Sequence, residues 1–194
     1  GAELVGVHPG SSGMNISAIL KGIIEGKIKA LYVIEEDAAS FNEEWESTIG
    51  KLDLLIVHAS NENRTTVLAD IVFPASTFAE KNGTFVNFQG RVQRIRPAVA
   101  TVEMDRALDG MEMSRWDKFG TEYDRWMQGH KYDSKPSWKI FVGLSQLLGF
   151  KMKFNMTEEI FAEISNSISA FKGLDYDEIG KHGTQLKIKQ TANA

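Results

Sequence analysis

The chain has 194 residues, 42% of them hydrophobic and 25% charged, with a formal net charge of -4 at pH 7. That suits one large or two small soluble domains and gives no electrostatic reason to expect nucleic acid or an anionic membrane surface as partner. The absence of cysteine excludes disulfides, thiolate zinc sites and cysteine-ligated iron–sulfur clusters within these residues.

No apolar run approaches the roughly 20 residues of a membrane span. No basic start followed by a long apolar segment suggests a secretory signal, and Gly1 reads as a cleavage point, so the sequence is expected to be a piece of something longer. The histidines at 8, 58, 130 and 182 lie far apart, with no i, i+4 pair to aim two imidazoles at one metal. They are expected to be ordinary polar residues.

Along the chain, GVHPGSSG (Gly6 to Gly13) is loop punctuation that lacks both the P-loop Lys and GxGxxG spacing. Asn15 then stands as N-cap to a helix whose Ile16, Ile19, Leu20, Ile23 and Ile24 form one apolar stripe, with Gly26 as its stop. IKALYVI (28–34) is short and apolar, as in a parallel strand buried on both faces. Ser40 to Gly50 follows as a helix capped by Ser40, then strand DLLIVHA (53–59), a short helix at 63–68, and a third strand DIVFPA (70–75) that Pro74 ends or places at an edge. Strand, helix, strand, helix, strand predicts a three-layer, doubly wound α/β fold on a mainly parallel sheet.

From Glu80 the pattern changes. Asn82-Gly83 is a turn signal, and TFVNF and RVQRI flank Gln89-Gly90 like the arms of a hairpin. The remainder reads mostly as helix. Residues 115–128 carry a stripe from Trp116 to Trp126, Pro136 opens a helix through Leu148, and Thr157 caps another, with Glu158 and Glu159 in its first turn. A short strand is possible at 185–188. The expected organisation is a sheet domain over 1–100 with an irregular excursion at 80–97, and a mostly helical extension over 101–194.

A parallel sheet seats ligands beyond the carboxyl ends of its strands. The loops there are Glu35-Glu36-Asp37, His58 to Asn61, and Ala75 to Lys81. The first has three carboxylates where a phosphate needs N–H groups and positive charge. As consecutive loop residues, they suit a solvated acidic turn better than a hard-cation site. Arg91, Arg94 and Arg96 form the one basic cluster, either for an anionic partner or as a solvated strand, and Glu80 stands ready to pair with Arg91. The Trp116 to Trp126 stripe is more often core than partner surface. No catalytic, cofactor-binding or metal-ligating residue is assigned.

The stretch Ala69-Asp70-Ile71-Val72-Phe73-Pro74, Glu80, Gly83-Thr84, Asn87 and Gly90-Arg91-Val92-Gln93 resembles the molybdopterin-oxidoreductase family, and Ser137-Trp138-Lys139-Ile140 is similar to its downstream "DW-x-I" helix start. The likeness covers Val5 to about Gly149. Within the family, FAEKNGTFVNFQGRVQR looks most like the large iron–sulfur chain of NADH-quinone oxidoreductase, respiratory complex I. That resemblance implies a non-catalytic scaffold domain with no cofactor of its own, iron–sulfur clusters on a missing N-terminal part, peripheral-arm subunits as partners, and a cytoplasmic location peripheral to the inner membrane. It also marks departures. The family often has glycine in the loop after the first strand, and cofactor-binding members a Gln-Asp-type pair after the second, where Glu35-Glu36-Asp37 and His58-Ala59-Ser60 stand. Residues 110–135 form a longer link than usual. The alternative is part of a molybdopterin enzyme of the formate dehydrogenase or nitrate reductase type, contributing to binding of the molybdopterin guanine dinucleotide.

Overall fold

The computed structural model describes residues 2–10, 13–98 and 134–186. The Trp116 to Trp126 stripe, His130, nearly all of the 110–135 link and the boundary at 100/101 lie outside the described residues. The chain divides into two compact units: Pro9–Thr77 with Val99–Phe141, and Gly1–His8, Phe78–Ala98 and Val142–Ala194.

The first unit is the α/β fold expected from the alternating pattern. Helix α1 (Ile16–Ile24) is capped by Asn15, whose side chain accepts from the Ala18 N–H. Strands β1 (Ala30–Ile34), β2 (Leu54–Ala59) and β3 (Ile71–Pro74) form a parallel sheet in the order β1-β2-β3, with Val33 opposite Val57 and Val57 opposite Val72. Helices α2 (Glu43–Ile49) and α3 (Arg64–Leu68) make the two crossovers. Because side chains alternate along a strand, Val33, Leu55, Val57 and Ala59 share one face and pack with Ile23, Trp45 and Ile49 as the core. The opposite face carries Tyr32, His58 and Phe73.

Only β2 is the deeply buried strand foreseen for all three. Among the described residues β1 and β3 are outer strands, and β3 is largely exposed, in keeping with Pro74 at an edge. The cap of α2 is Asn42, not Ser40: its side chain accepts from the Trp45 N–H, while Ser40 ends a 3-10 turn, Ala38–Ser40, and bonds elsewhere. Asp70 of the family-like motif has a structural task. Its N–H donates to Leu55 O at 2.9 Å and its carboxylate accepts from the Leu55 N–H at 2.7 Å, which fixes β3 on β2 before pairing begins.

The second unit has an antiparallel sheet of β4 (Gly83–Val86), β5 (Arg91–Ile95) and β6 (Thr184–Gln185). Helix α4 (Ser137–Leu147) runs from one unit into the other in sequence; α5 (Thr157–Ser167) and α6 (Tyr176–Ile179) follow. Val92, Phe161, Phe171, Ile179 and Leu186 form its core. Thus the excursion at 80–97 supplies two strands of a small sheet.

Three further local features differ from the sequence expectation. Asn82-Gly83 is not the turn: Gly83 opens β4, and the reversal is made at 87–90, where the Asn87 side chain accepts from the N–H groups of Gln89 and Arg91. Asn-Gly signals a hairpin only with a strand on each side, and the residues leading directly into Asn82 are turn and irregular chain, not strand. The N-cap of α5 is Met156, without a side-chain cap bond, and Thr157 is the first helical residue. Arg91 reaches not Glu80 but the carbonyls of His182 and Gly183, at 3.3 and 3.2 Å. The ion pair is made by Arg94 with Glu158, and Arg94 also lies 4.1 Å over the Tyr176 ring.

Gly183 allows β6 to approach β5. Its φ is +77°, and a Cβ there would lie 2.6 Å from the Val92 carbonyl oxygen. Gly183→Ala is expected to destabilise the chain by about 2–4 kcal/mol through left-handed strain and overpacking. A urea midpoint unchanged from the parent sequence would show that β6 shifts to admit it.

Candidate functional site

The candidate site is the crest where β1 and β2 end. Glu35 leaves β1 with φ +54°, a conformation that non-glycine residues seldom adopt, and its N–H donates to His58 O at 2.7 Å. The Ser60 hydroxyl donates to the Glu35 carboxylate at 3.3 Å, and the Asp37 N–H donates to Glu36 Oε1 at 3.2 Å. The acidic loop is therefore held from both strands.

Asp37 does not face out as part of an open acidic turn. Its Oδ1 accepts from the Thr65 N–H at 3.0 Å and the Thr65 hydroxyl at 2.7 Å, and its Oδ2 accepts from Ser40 Oγ. Thr65 is fully buried, and its Oγ1 in turn accepts from the Ala39 N–H at 2.9 Å. Thr65 sits in the first turn of α3, capped by Asn63, which accepts from Thr66 N–H at 2.9 Å in a reciprocal capping box. Desolvation pushes the Asp37 carboxyl up, but bonds from Ser40, from the Thr65 side chain and from the Thr65 and Arg64 backbone outweigh it and hold the group below the usual aspartate value.

Behind the crest, His58 is fully buried in β2 with its Nδ1 3.2 Å from the Tyr32 hydroxyl. Its ring lies 6.3 Å from Tyr32 and 5.7 Å from Phe141, and Phe73 meets Tyr32 edge-on at 6.4 Å. Burial raises the Tyr32 phenol above its ordinary value. This histidine is core, in an aromatic layer on the second face of the sheet. After β3, the buried Ser76 lies 3.2 Å from the Ser134 hydroxyl, and its N–H donates to Lys135 O while Lys135 N–H donates to Pro74 O.

Among the described residues no group of three or more histidine or carboxylate side chains could hold a metal ion, and no helix is long and apolar enough to cross a membrane. The crest carries hydrogen-bond acceptors, in Glu35, Glu36 and Ser60. Its first loop, Glu35-Glu36-Asp37, has neither the glycine nor the positive charge that a pyrophosphate needs. An acceptor-rich rim suits hydroxyl and amine donors, as at the nucleoside end of a dinucleotide.

The structure gathers Glu35, Asp37, His58 and Ser60, which the sequence had placed on two loops. It separates the arginines: Arg91 and Arg94 serve different neighbours, and Arg96 is exposed beyond β5. Sequence reading missed Thr65 and Ser40. Ser40 is three residues from Asp37 and open to an Asx-type reading, whereas Thr65 is 28 positions away and had no local signal.

A parallel sheet with its crossover helices, ending in an acceptor-bearing crest, defines an α/β domain of the open parallel-sheet class. The sequence profile of molybdopterin oxidoreductases matches residues 3–107, and the chain belongs to that family. It is 27% identical over 171 residues to a protein of Staphylococcus aureus (strain USA300) named "putative formate dehydrogenase", covering 87% of the chain and 14% of that protein. A Staphylococcus haemolyticus (strain JCSC1435) protein of the same name is 28% identical over 164 residues, covering 83% and 14%. The chain thus spans about a seventh of the length of these relatives.

Replacing Asp37 by Ala leaves the buried Thr65 hydroxyl without its acceptor, and is expected to cost about 1–2 kcal/mol at pH 7. A carboxyl whose folded value lies below its unfolded one stabilises above the unfolded value, and that contribution is lost as pH falls through the folded value. The gap between parent and variant should therefore close on acidification below the usual aspartate range. A gap that stays constant to pH 2 would show that the charge is not what Thr65 holds.

Proposed function

We propose that the chain is one α/β domain of a molybdopterin-dependent oxidoreductase of the formate dehydrogenase kind, where it forms the wall that receives the nucleoside end of the dinucleotide cofactor. The observation that carries this reading is the inward commitment of Asp37. With that charge taken up by Thr65 and Ser40, the crest keeps Glu35 and Glu36 as acceptors beside Ser60. Family membership and the names of the relatives support it.

The molybdenum–pterin group, when bound, supplies the redox centre. The tasks left to these residues are binding and orientation. Glu36 and Glu35 would accept hydrogen bonds from ribose hydroxyls or base amines. The Asp37–Thr65 link would hold the loop in the shape that presents them. The Tyr32, His58 and Phe141 layer would keep the sheet rigid beneath.

A second reading has one observation in its favour. Glu35 places a side chain at a left-handed position suited to glycine, where the resemblance expects a glycine-containing loop. A chain that had lost the cofactor would tolerate this. It would then be a scaffold domain of the large chain of NADH-quinone oxidoreductase, meeting other peripheral-arm subunits on the cytoplasmic side of the inner membrane.

Metal and nucleotide analysis of the full-length parent separates the two readings. The first predicts about one molybdenum or tungsten per chain with releasable guanine nucleotide, and a several-fold loss of nucleotide on Glu36→Ala with the melting temperature unchanged. A parent with iron but neither molybdenum nor tungsten would overturn it in favour of the scaffold.

A further inference from the structure

The reversal between β4 and β5 is tightly built. Asn87 N–H donates to Arg91 O, Gly90 N–H to Asn87 O, and the Asn87 side chain accepts from the Gln89 and Arg91 N–H groups, all at 2.8 to 3.0 Å. From the β6 side, the Gln185 side-chain amide donates to Gln89 O at 2.6 Å and Leu186 N–H to Gly90 O at 2.9 Å. Six bonds thus hold a short loop whose remaining residue, Phe88, is 96% exposed. Phe85 is also exposed, on β4 between the inward-facing Thr84, bonded to Tyr176, and Val86, packed in the core.

An exposed aromatic on a loose loop has little meaning. One on a braced tip is different. Its backbone is already ordered, so docking costs little further freedom, and rigid aromatic side chains are the usual anchors of interfaces. We propose that the 87–90 tip is a docking knob whose Phe88 seats in an apolar pocket on the rest of the parent polypeptide. The relatives are about seven times as long as the matched stretch, and the remainder of a parent of that length is the occupant assigned to this knob. The proposal rests on the chain being part of a longer protein and not on which reaction that protein performs. Metal content and side-chain accessibility therefore fail independently.

Hydroxyl-radical footprinting with peptide-level mass spectrometry tests this on unmodified sequences. In the 194-residue chain, Phe88 should be oxidised rapidly at every protein concentration. In the full-length parent its rate should fall at least tenfold, with the buried Phe171 slow in both as the reference. Equal Phe88 rates in chain and parent would overturn the proposal. Protection in the chain that grows with concentration would assign the seat to a second copy. Protection in the chain that is independent of concentration would assign it to the chain's own residues. Either of these would also overturn it.

Discussion

The hydrogen bonds between Asp37 and Thr65 organise the crest of the parallel sheet. One carboxylate, leaving β1, takes the N–H and hydroxyl of a fully buried threonine in the first turn of α3, and that hydroxyl anchors Ala39 in turn. The link ties the end of β1 to the crossover after β2, across 28 positions of sequence. A buried threonine hydroxyl needs a partner, and a carboxylate accepting several N–H and O–H groups is stabilised in its charged form. Each explains the other, and together they fix where Glu35 and Glu36 stand.

Much of this was legible in the sequence because it depends on local rules. The helix Ile16–Ile24, the short apolar strands and Pro74 at the end of β3 follow from periodicity and from the constraints on proline, although only Ile19, Leu20 and Ile23 of the expected stripe pack on the core while Ile16 and Ile24 stay exposed. What was not legible depends on distance. Three acidic residues in a row look like one solvated turn until Thr65 is brought beside the third. The Glu80–Arg91 pairing was plausible on spacing, yet Arg91 faces the carbonyls of His182 and Gly183, some 90 positions on. Asn82-Gly83 carried the stronger turn signal, but Asn87 made the turn because strands stood on both sides of it.

The antiparallel unit shows the same division. Its core joins Val92 with Phe161, Phe171 and Ile179, and Arg94 inserts between Glu158 and the Tyr176 ring while Tyr176 stacks on Phe161 at 5.1 Å. A basic cluster in sequence thus becomes one arginine supporting a core, one bracing a turn and one exposed. The motif Gly90-Arg91-Val92-Gln93 is in large part architecture here: Gly90 O and Arg91 hold β6 and its approach, and Val92 fills the core.

Under the proposed reading, this domain holds the nucleoside of a large cofactor and the chemistry belongs to the rest of the parent. That account depends on Asp37 being tied to Thr65 and Ser40 as a stabilised anion. Carbon-13 NMR of the Asp37 carboxyl, titrated in the intact chain, tests this directly. The account predicts a midpoint below the ordinary aspartate value of about 3.9, with the Thr65 amide shifting in step. A midpoint at or above that value, or a Thr65 amide indifferent to the titration, would contradict it.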